Sequence, residues 1–226
     1  MKQIVAIGGG GFSSETRNLK IEKYLLSLVN KKNPKICFLP QASHEDPDYI
    51  VKFFSTFVKL HAEPSWISLF GRVEASWKQH ILNQDIIYVG GGNTKSMLAL
   101  WREWGMDVVL MEAYNNGIIL SGVSAGGICW FEQGITDSVW PLGVVNGLGL
   151  IDGSVCPHFD SECERQSVYR NKLATAAIKP GLALEDETAV HFIDGQLNVA
   201  IKTLENKNVI RMNANEEIVL QTELLS

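Results

Sequence analysis

Short apolar runs and segments of helical periodicity alternate along the first half of the chain. Each apolar run is bounded by glycine, proline or polar residues, which predicts a buried strand. The runs lie at 3–7, 35–39, 66–69, 85–89 and 118–120. Between them, apolar residues recur at helical spacing, which predicts helices at 16–29, 47–60, 73–82, around 97–101 and at 106–114. This alternation predicts βαβ units and a mostly parallel central sheet with helices on both faces.

The last third of the chain has a different pattern. Residues 134–138 are polar and indicate a turn, 148–155 indicate an irregular strand, and a helix is predicted over 161–178 with Ser161 as its N-cap. The Asp-Gly pair at 194–195 separates two alternating runs and is a strong hairpin signal. We expect one α/β domain over residues 1–226 that ends in β-hairpins. The C-terminal strands are predicted at 182–184, 189–193, 197–201, 209–212 and 218–220.

Composition narrows the class of protein without identifying a ligand. The chain has 226 residues, is 46% hydrophobic and carries a net charge of −5. This acidic balance argues against nucleic acid or an anionic membrane as a partner, since both attract basic surfaces. Cys37, Cys129, Cys156 and Cys163 are scattered without zinc-site spacing, so we interpret them as reduced thiols of a cytoplasmic protein. We expect no signal peptide and no membrane-spanning segment.

Four glycines at 8–11 follow the first predicted strand. They are similar to the opening of a dinucleotide-binding fold, but they do not form the G-x-G-x-x-G pattern. The second strand also ends in Pro40 rather than in an acidic residue. We therefore expect no nucleotide cofactor. We interpret the glycines as allowing this loop to approach a neighbouring loop or a substrate at the carboxyl edge of the sheet.

A possible nucleophile lies where the strand at 118–120 breaks into small residues. Ser124 stands in Gly-Val-Ser-Ala-Gly, a strand-to-helix turn that lifts a serine out of the backbone in many hydrolases. Gly122 permits strained dihedral angles, and Gly126 allows the following helix to pack closely. The alternative is an ordinary glycine-bracketed turn that contains a serine and has no catalytic role.

A second glycine-rich loop ends the neighbouring strand, at 90–94. Ligands of parallel sheets bind outside the carboxyl ends of the strands. Gly91 or Gly92 and the N–H of Ala125 are therefore candidates for a pair of oxyanion donors. Asn93 or Thr94 is a candidate N-cap of the next helix. A tight turn without chemistry is the alternative.

The remaining candidates are one histidine and a group of acids. His158 follows a proline at a strand end, which suits a general base, although His44, His61, His80 and His191 compete with it. Residues 185–187 are Glu-Asp-Glu, and an acid in last place would complete a Ser, His, acid order. A solvated turn is the alternative for these acids. Arg165 could point back toward the His158 loop, or could belong to a charged helix face.

Five motifs occur in a fixed order, and together they resemble the dipeptidase E and cyanophycinase family of serine peptidases. This resemblance covers essentially the whole chain and implies a three-layer α/β sandwich like that of class I glutamine amidotransferases. A serine stands where true amidotransferases have cysteine, so glutaminase activity is not expected. The motifs are GGGNT at 90–94, GVSAGG at 122–127, ITD at 135–137, PHFD at 157–160 and LEDETAV at 184–190.

The resemblance also implies roles for individual residues. Ser124 matches the nucleophile and His158 the general base, while the 90–92 loop and Ala125 match the oxyanion hole. The acidic partner of the histidine matches the 185–187 segment, where we choose Asp186 before Glu187 and Glu185. Asp137 matches a supporting acid near the site. Arg165 matches the arginine that binds the substrate aspartate, and we place Asn93 with it as a substrate-binding residue.

The sequence thus predicts a cytoplasmic serine exopeptidase that cleaves short peptides. Preference for an N-terminal aspartate is in question, because the segment from His158 to Arg165 is much shorter than in dipeptidase E. Neither a metal nor an organic cofactor is required, and we expect a monomer or homodimer. The alternative from another class is a catalytically silent domain that binds a small amino-acid ligand or a partner. An esterase or acyl transferase that uses the same triad is a third option.

Overall fold

The computed structural model describes residues 1–15 and 18–226. The strands in these ranges are β1 (Gln3–Ile7), β2 (Lys35–Leu39), β3 (Glu63–Trp66), β4 (Ile86–Val89), β5 (Ile119–Val123), β6 (Phe131–Thr136), β7 (Gly143–Asn146), β8 (Ile151–Cys156), β9 (Gly181–Leu184), β10 (Thr188–Ile193), β11 (Gln196–Lys202), β12 (Val209–Met212), β13 (Glu217–Val219) and β14 (Thr222–Leu224). The α-helices are α1 (Lys20–Ser27), α2 (Pro47–Lys59), α3 (Trp77–Leu82), α4 (Thr94–Trp104), α5 (Met106–Asn115), α6 (Ala125–Ile128) and α7 (Cys163–Ala174).

The larger of two sheets has eight strands in the order β14-β11-β10-β1-β5-β4-β2-β3. Strands β1, β5, β4, β2 and β3 run parallel to one another, as the alternation of elements predicted. Strand β10 pairs antiparallel with both β1 and β11. Asp194 and Gly195 have φ angles of 49° and 81°, which a two-residue hairpin turn requires. The predicted hairpin is therefore confirmed.

Helices cover both faces of the larger sheet. Along β1, Val5 and Ile7 belong to one hydrophobic core, whereas Ile4 and Ala6 belong to another. Successive strand residues point to opposite faces, so both faces of β1 are buried. Helices α1 and α2 pack on the first core, and α4 and α5 pack on the second. The predicted α/β class is confirmed.

The smaller sheet has six strands in the order β13-β12-β9-β8-β6-β7, and the sequence did not predict it as a separate sheet. The prediction of a polar turn at 134–138 is wrong, because β6 extends through Thr136. A Cβ on Gly134 would lie 2.6 Å from Ile128 Cγ2 and 3.1 Å from Val155 O. The glycine that suggested a turn therefore marks a close approach between a strand and its neighbours.

Several predicted boundaries differ from the observed ones. The third strand lies at Glu63–Trp66 rather than 66–69, because backbone pairing with β2 sets its register. Helix α7 begins at Cys163, so Ser161 is not its N-cap. The predicted helix at 16–29 begins at Lys20 in the described part of the chain, and its first two positions lie outside the described residues. No helix in the described ranges is long and apolar enough to cross a membrane.

Candidate active site

Ser124 stands at a strained turn between β5 and α6. Its φ and ψ angles are 55° and −113°, a combination that non-glycine residues rarely adopt. The backbone holds the turn: the Ser124 N–H donates to Ile7 O at 3.1 Å, and Ser124 O accepts from Gly127 and Ile128, each at 2.8 Å. This strained geometry at a strand-to-helix turn is the one expected of a nucleophile elbow.

Glycines beside Ser124 allow the elbow to pack against β4. A Cβ on Gly122 would lie 2.5 Å from Gly126 O, and one on Gly126 would overlap Val89 O. Neither position has room for a side chain unless the backbone moves. The predicted packing role of Gly126 agrees with this geometry, whereas Gly122 has no positive φ and serves close packing rather than strained dihedral angles.

His158 pairs with one of the three consecutive acids. Its Nδ1 lies 2.7 Å from Asp186 Oδ1, within hydrogen-bond distance. Of the two alternatives, Glu185 accepts the Asn208 N–H at 2.8 Å, and Glu187 accepts the Thr203 hydroxyl. The geometry therefore selects Asp186 as the partner of His158.

Further contacts fix the loops that carry this pair. The Phe159 N–H donates to Leu184 O at 3.1 Å, which joins the histidine loop to the strand that precedes the acids. The Asp186 N–H donates to Asp160 Oδ1 at 2.8 Å, and Lys207 binds the other oxygen of Asp160. A competing histidine on β10, His191, binds Tyr24 and Gln3 instead.

The charge of Asp186 is favoured in the folded protein. Partial burial acts to raise its pKa, but the hydrogen bond and charge of His158 act in the opposite direction. With smaller contributions from Ser161 and Lys207, the pKa of Asp186 lies below its ordinary value. An ionised carboxylate at Nδ1 orients the imidazole and leaves Nε2 as the nitrogen that can take a proton.

The first glycine loop packs directly on the acids, as the sequence suggested for a neighbouring loop. A Cβ on Gly8 would lie 2.5 Å from Glu185 O, and one on Gly10 would lie 2.6 Å from Glu187 Oε1. A Cβ on Gly9 would overlap Asp186 Oδ1 and stand 2.7 Å from His158 Nδ1. The glycines thus serve the close approach of two loops, one of which carries the His158–Asp186 pair.

The substitution Gly9→Ala should lower kcat by about 100-fold or more, because the added methyl must displace the His158–Asp186 pair. Steady-state kinetics on a peptide substrate, together with a thermal unfolding curve, measures this effect. The matched control is Gly71→Ala in an exposed loop, where the new Cβ would meet Ser68 Oγ at an ordinary 3.6 Å. Equal activity of the two variants would contradict the role given to Gly9.

The second glycine loop lies beside Ser124. A Cβ on Gly91 would be 3.4 Å from Ser124 Cβ, so the Gly91 backbone is immediately next to the serine. The Gly91 N–H donates to Tyr49 Oη at 3.3 Å, at the long end for a hydrogen bond. Gly92 has a φ of 130°, and a Cβ there would overlap Ala42 O. Ala125 opens α6 directly after Ser124, with its N–H at the helix start.

One cavity of about 490 Å³ joins these elements. It contains the candidate nucleophile, the candidate base, its acid and the second glycine loop. The rest of the cavity wall carries both acidic and basic side chains. The described residues that line it are Gly10, Ser13, Ser14, Asp46, Asp48, Tyr49, Lys52, Gly91, Gly92, Val123, Ser124, His158 and Asp186.

Apart from the alternative acids Glu185 and Glu187, four predicted site residues are not among the described residues that line the cavity: Ala125, Asn93, Arg165 and Asp137. Asn93 is the N-cap of α4, where its Oδ1 accepts the Ser96 N–H at 2.9 Å, so its predicted capping role is confirmed. Arg165 is 1% exposed, and its guanidinium donates to Ile135 O at 2.9 Å and to Glu162 at 2.6 Å. Asp137 lies 3.8 Å from Arg165 and is mostly exposed. This placement does not favour substrate contact for Arg165.

The sequence did not single out the wall of the cavity formed by the start of α2. Tyr49, Asp48 and Lys52 lie on one side of this helix. The available signal was Pro47, which the sequence placed at a helix N-terminus that follows the carboxyl end of a strand. Elements in that position face the ligand site of a parallel sheet.

Glu22 was also missed, and it lies fully buried beneath the first glycine loop. Its Oε1 accepts the Phe12 N–H at 2.7 Å, while Oε2 has no hydrogen-bond partner among the described residues. Burial raises the pKa of Glu22 to about 7, against the opposing effect of the backbone hydrogen bonds and with a small contribution from Glu187. Glu22 therefore gains or loses its proton near neutral pH.

The substitution Glu22→Gln should change the free energy of unfolding more favourably at pH 8 than at pH 5, when each mutant value is compared with that of the wild type at the same pH. The Glu22 carboxyl of the wild type binds its proton more tightly in the folded state than in the unfolded state. Its contribution to the stability of the fold is therefore complete below the unfolded pKa of about 4.5, and it is lost as the pH rises to the folded pKa of about 7. The loss is on the order of 3 kcal/mol, and glutamine does not undergo it. Urea unfolding of both proteins at both pH values measures the change. A mutant-minus-wild-type difference that is the same at the two pH values would contradict this expectation.

Within the described ranges, no group of three His, Cys, Asp or Glu side chains is arranged to hold a metal ion. An elbow serine that shares a cavity with a His–Asp pair is the arrangement of serine hydrolases.

Comparisons with known proteins place the chain within this class. Residues 4–200 match the model of peptidase family S51. The chain is also 43% identical over 219 residues to a Bacillus subtilis (strain 168) protein named "Uncharacterized peptidase YgaJ", covering 96% of this chain and 95% of the relative. The chain belongs to peptidase family S51 and is a peptidase, as the motifs implied.

Two solved structures share the fold. A peptidase from an acI-B1 Actinobacterium superposes with a TM-score of 0.70 at 16% identity, over 98% of this chain and 95% of the other. A putative peptidase E protein from Listeria monocytogenes EGD-e gives a TM-score of 0.62 at 18% identity, over 99% of this chain and 100% of the other. These similarities support the α/β architecture.

Proposed function

We propose that Ser124, His158 and Asp186 form a catalytic triad that hydrolyses short peptides from one end. The observation that carries this proposal is the shared cavity, into which the strained Ser124 elbow and the His158–Asp186 pair both open. A serine, a base and an orienting acid are the parts that acyl transfer requires.

In this mechanism Ser124 Oγ attacks the carbonyl carbon of the scissile peptide, and His158 Nε2 accepts the hydroxyl proton. The histidine then donates that proton to the leaving amine, which departs and leaves an acyl-enzyme on Ser124. A water molecule, deprotonated by the same nitrogen, hydrolyses the ester and restores the serine. Asp186 stays ionised throughout and stabilises the transient imidazolium.

The negative oxygen that develops during attack needs hydrogen-bond donors next to Ser124. We assign this role to the backbone N–H of Ala125 and to an N–H of Gly91 or Gly92, since the Gly91 backbone stands beside Ser124. The Gly91 N–H makes only a long hydrogen bond to Tyr49 Oη at 3.3 Å, and an oxyanion is the stronger acceptor. Each such donor contributes roughly 3–4 kcal/mol to transition-state stabilisation.

The substrate we propose is a dipeptide or another short peptide, with an N-terminal aspartate as the candidate preference. A cavity of about 490 Å³ suits a small ligand, and its wall carries charges of both signs that can meet the charged groups of a short peptide. We assign the enzyme to the cytoplasm, where its four free cysteines remain reduced.

A dipeptide library tests this function. We expect the purified protein to release free amino acids from a subset of dipeptides, and a fluorophosphonate probe to label Ser124, because labelling requires an activated hydroxyl. Peptides blocked at the N- or C-terminus show which end the enzyme requires. Absence of both hydrolysis and labelling would instead favour a catalytically silent domain that binds an amino-acid ligand.

A further inference from the structure

Lys52 lines the same cavity as the catalytic candidates Ser124 and His158. It is an exposed residue in the second turn of α2. The mechanism proposed above has no use for a cation here. A lysine that lines such a cavity is either hydrated by solvent or binds a charged group of a ligand.

The charge of Lys52 has no protein partner in the described part of the chain, where Lys31, Lys179 and Lys207 each bind a carboxylate. The two nearest acids in sequence do not neutralise it. Asp46 uses its carboxylate as the N-cap of α2, accepting the Tyr49 N–H at 2.7 Å. Asp48, one turn before Lys52, forms no ion pair with it.

Helix α2 is anchored on two sides, which holds the backbone of Lys52 in place at the cavity. On the buried side of α2, the Phe53 ring stacks on Phe38 with centroids 4.4 Å apart. On the cavity side, Tyr49 accepts the hydrogen bond from Gly91, which lies beside Ser124. A residue on a packed helix binds a ligand group with better defined geometry than one on a free loop.

We propose that Lys52 is a substrate-binding residue that pairs with a carboxylate of the peptide while its scissile carbonyl lies at Ser124. This inference rests on the peptidase function proposed above and adds a residue that sets its substrate preference. The carboxylate is either the side chain of an N-terminal aspartate or the C-terminal carboxylate of a dipeptide. Arg165, buried among protein acceptors, is not placed to bind either one.

Four peptides separate the two sources of the carboxylate: Asp-Leu, Asn-Leu and the C-terminal amide of each. In Lys52→Met, kcat/KM should fall about 10- to 100-fold for peptides that carry the recognised carboxylate, mainly through KM. Asn-Leu amide should change by less than about twofold, since it has no carboxylate to lose. Lys52→Arg should keep a large part of the activity because it keeps the charge.

The matched control is Lys59→Met, which removes a charge from the last turn of the same helix. If activity is lost on the two Asp peptides but not on the two Asn peptides, Lys52 binds the aspartate side chain. If activity is lost on the two peptides with a free C-terminus but not on the two amides, Lys52 binds the C-terminal carboxylate. No loss, or an equal loss for all four peptides, would overturn the proposal. Ser124 labelling by the fluorophosphonate probe should be unchanged in Lys52→Met. Wild-type protein that is neither labelled nor active would instead overturn the serine-peptidase function itself.

Discussion

Ser124→Ala is expected to lower kcat for peptide hydrolysis by on the order of 10⁴- to 10⁶-fold. The substitution removes the oxygen that we propose as the attacking atom, but it removes nothing that holds the elbow. The hydrogen bonds of this turn come from the backbone of Ser124, to Ile7, Gly127 and Ile128. Alanine keeps the Cβ of serine, so the strained φ of 55° is equally costly in both proteins. The free energy of unfolding should therefore stay close to the wild-type value.

A second serine, three residues earlier on strand β5, provides the matched control. Ser121 is fully buried in β5, and its hydroxyl donates to Val5 O at 3.0 Å. Ser121→Ala should cost about 1 kcal/mol of stability while leaving kcat nearly unchanged. Single-turnover assays and urea unfolding of the two variants separate loss of chemistry from loss of fold. Substantial turnover by Ser124→Ala would show that another residue attacks the peptide.

Much of the larger sheet could be predicted from the sequence because its signals are local. An apolar strand that is buried on both faces reads as a continuous apolar run, as β4 does. The hairpin between β10 and β11 depends on the positive φ angles of Asp194 and Gly195, and few residue pairs other than Asn-Gly and Asp-Gly adopt them readily. Both features depend on residues adjacent in sequence.

The smaller sheet could not be predicted in the same way. Its strand β6 contains Gly134. Glycine is typical of turns, but this glycine lies in a strand and fits between Ile128 and Val155. Only the tertiary partners reveal that a glycine is needed there for close packing. The same reason explains the shift of the third strand to Glu63–Trp66, where pairing with β2 outweighs the local apolar pattern.

The residues of the candidate site differ in the same way: some have a local signal in the sequence, and others depend on tertiary contacts. The Ser124 elbow has a local signature in its flanking glycines, and its geometry follows from them. The choice among Glu185, Asp186 and Glu187 has no local signature, because it depends on which carboxylate meets a histidine 28 residues earlier in the chain. Arg165 shows the converse: its place in the sequence suggests a substrate contact, but its fold position buries the guanidinium.

Asp186→Asn is expected to lower kcat by about 10⁴-fold with little change in KM. The carboxylate accepts a hydrogen bond from His158 Nδ1–H at 2.7 Å, which leaves Nε2 unprotonated and able to act as a base. An asparagine amide at this position can donate to Nδ1 instead, and the proton then moves to Nε2. The imidazole keeps its place but loses its basic nitrogen toward Ser124.

The neighbouring acid separates this effect from a general loss of charge. Glu185→Gln removes a carboxylate one residue away, but the glutamine oxygen can still accept the Asn208 N–H that Glu185 binds at 2.8 Å. Its kcat should change by less than about fivefold, since Glu185 does not contact the histidine in this geometry. Steady-state kinetics of the two variants on one dipeptide measures the contrast. If kcat falls strongly in Glu185→Gln while Asp186→Asn stays active, Glu185 is the acid that orients the histidine. If kcat falls only slightly in both variants, His158 works without a carboxylate at Nδ1.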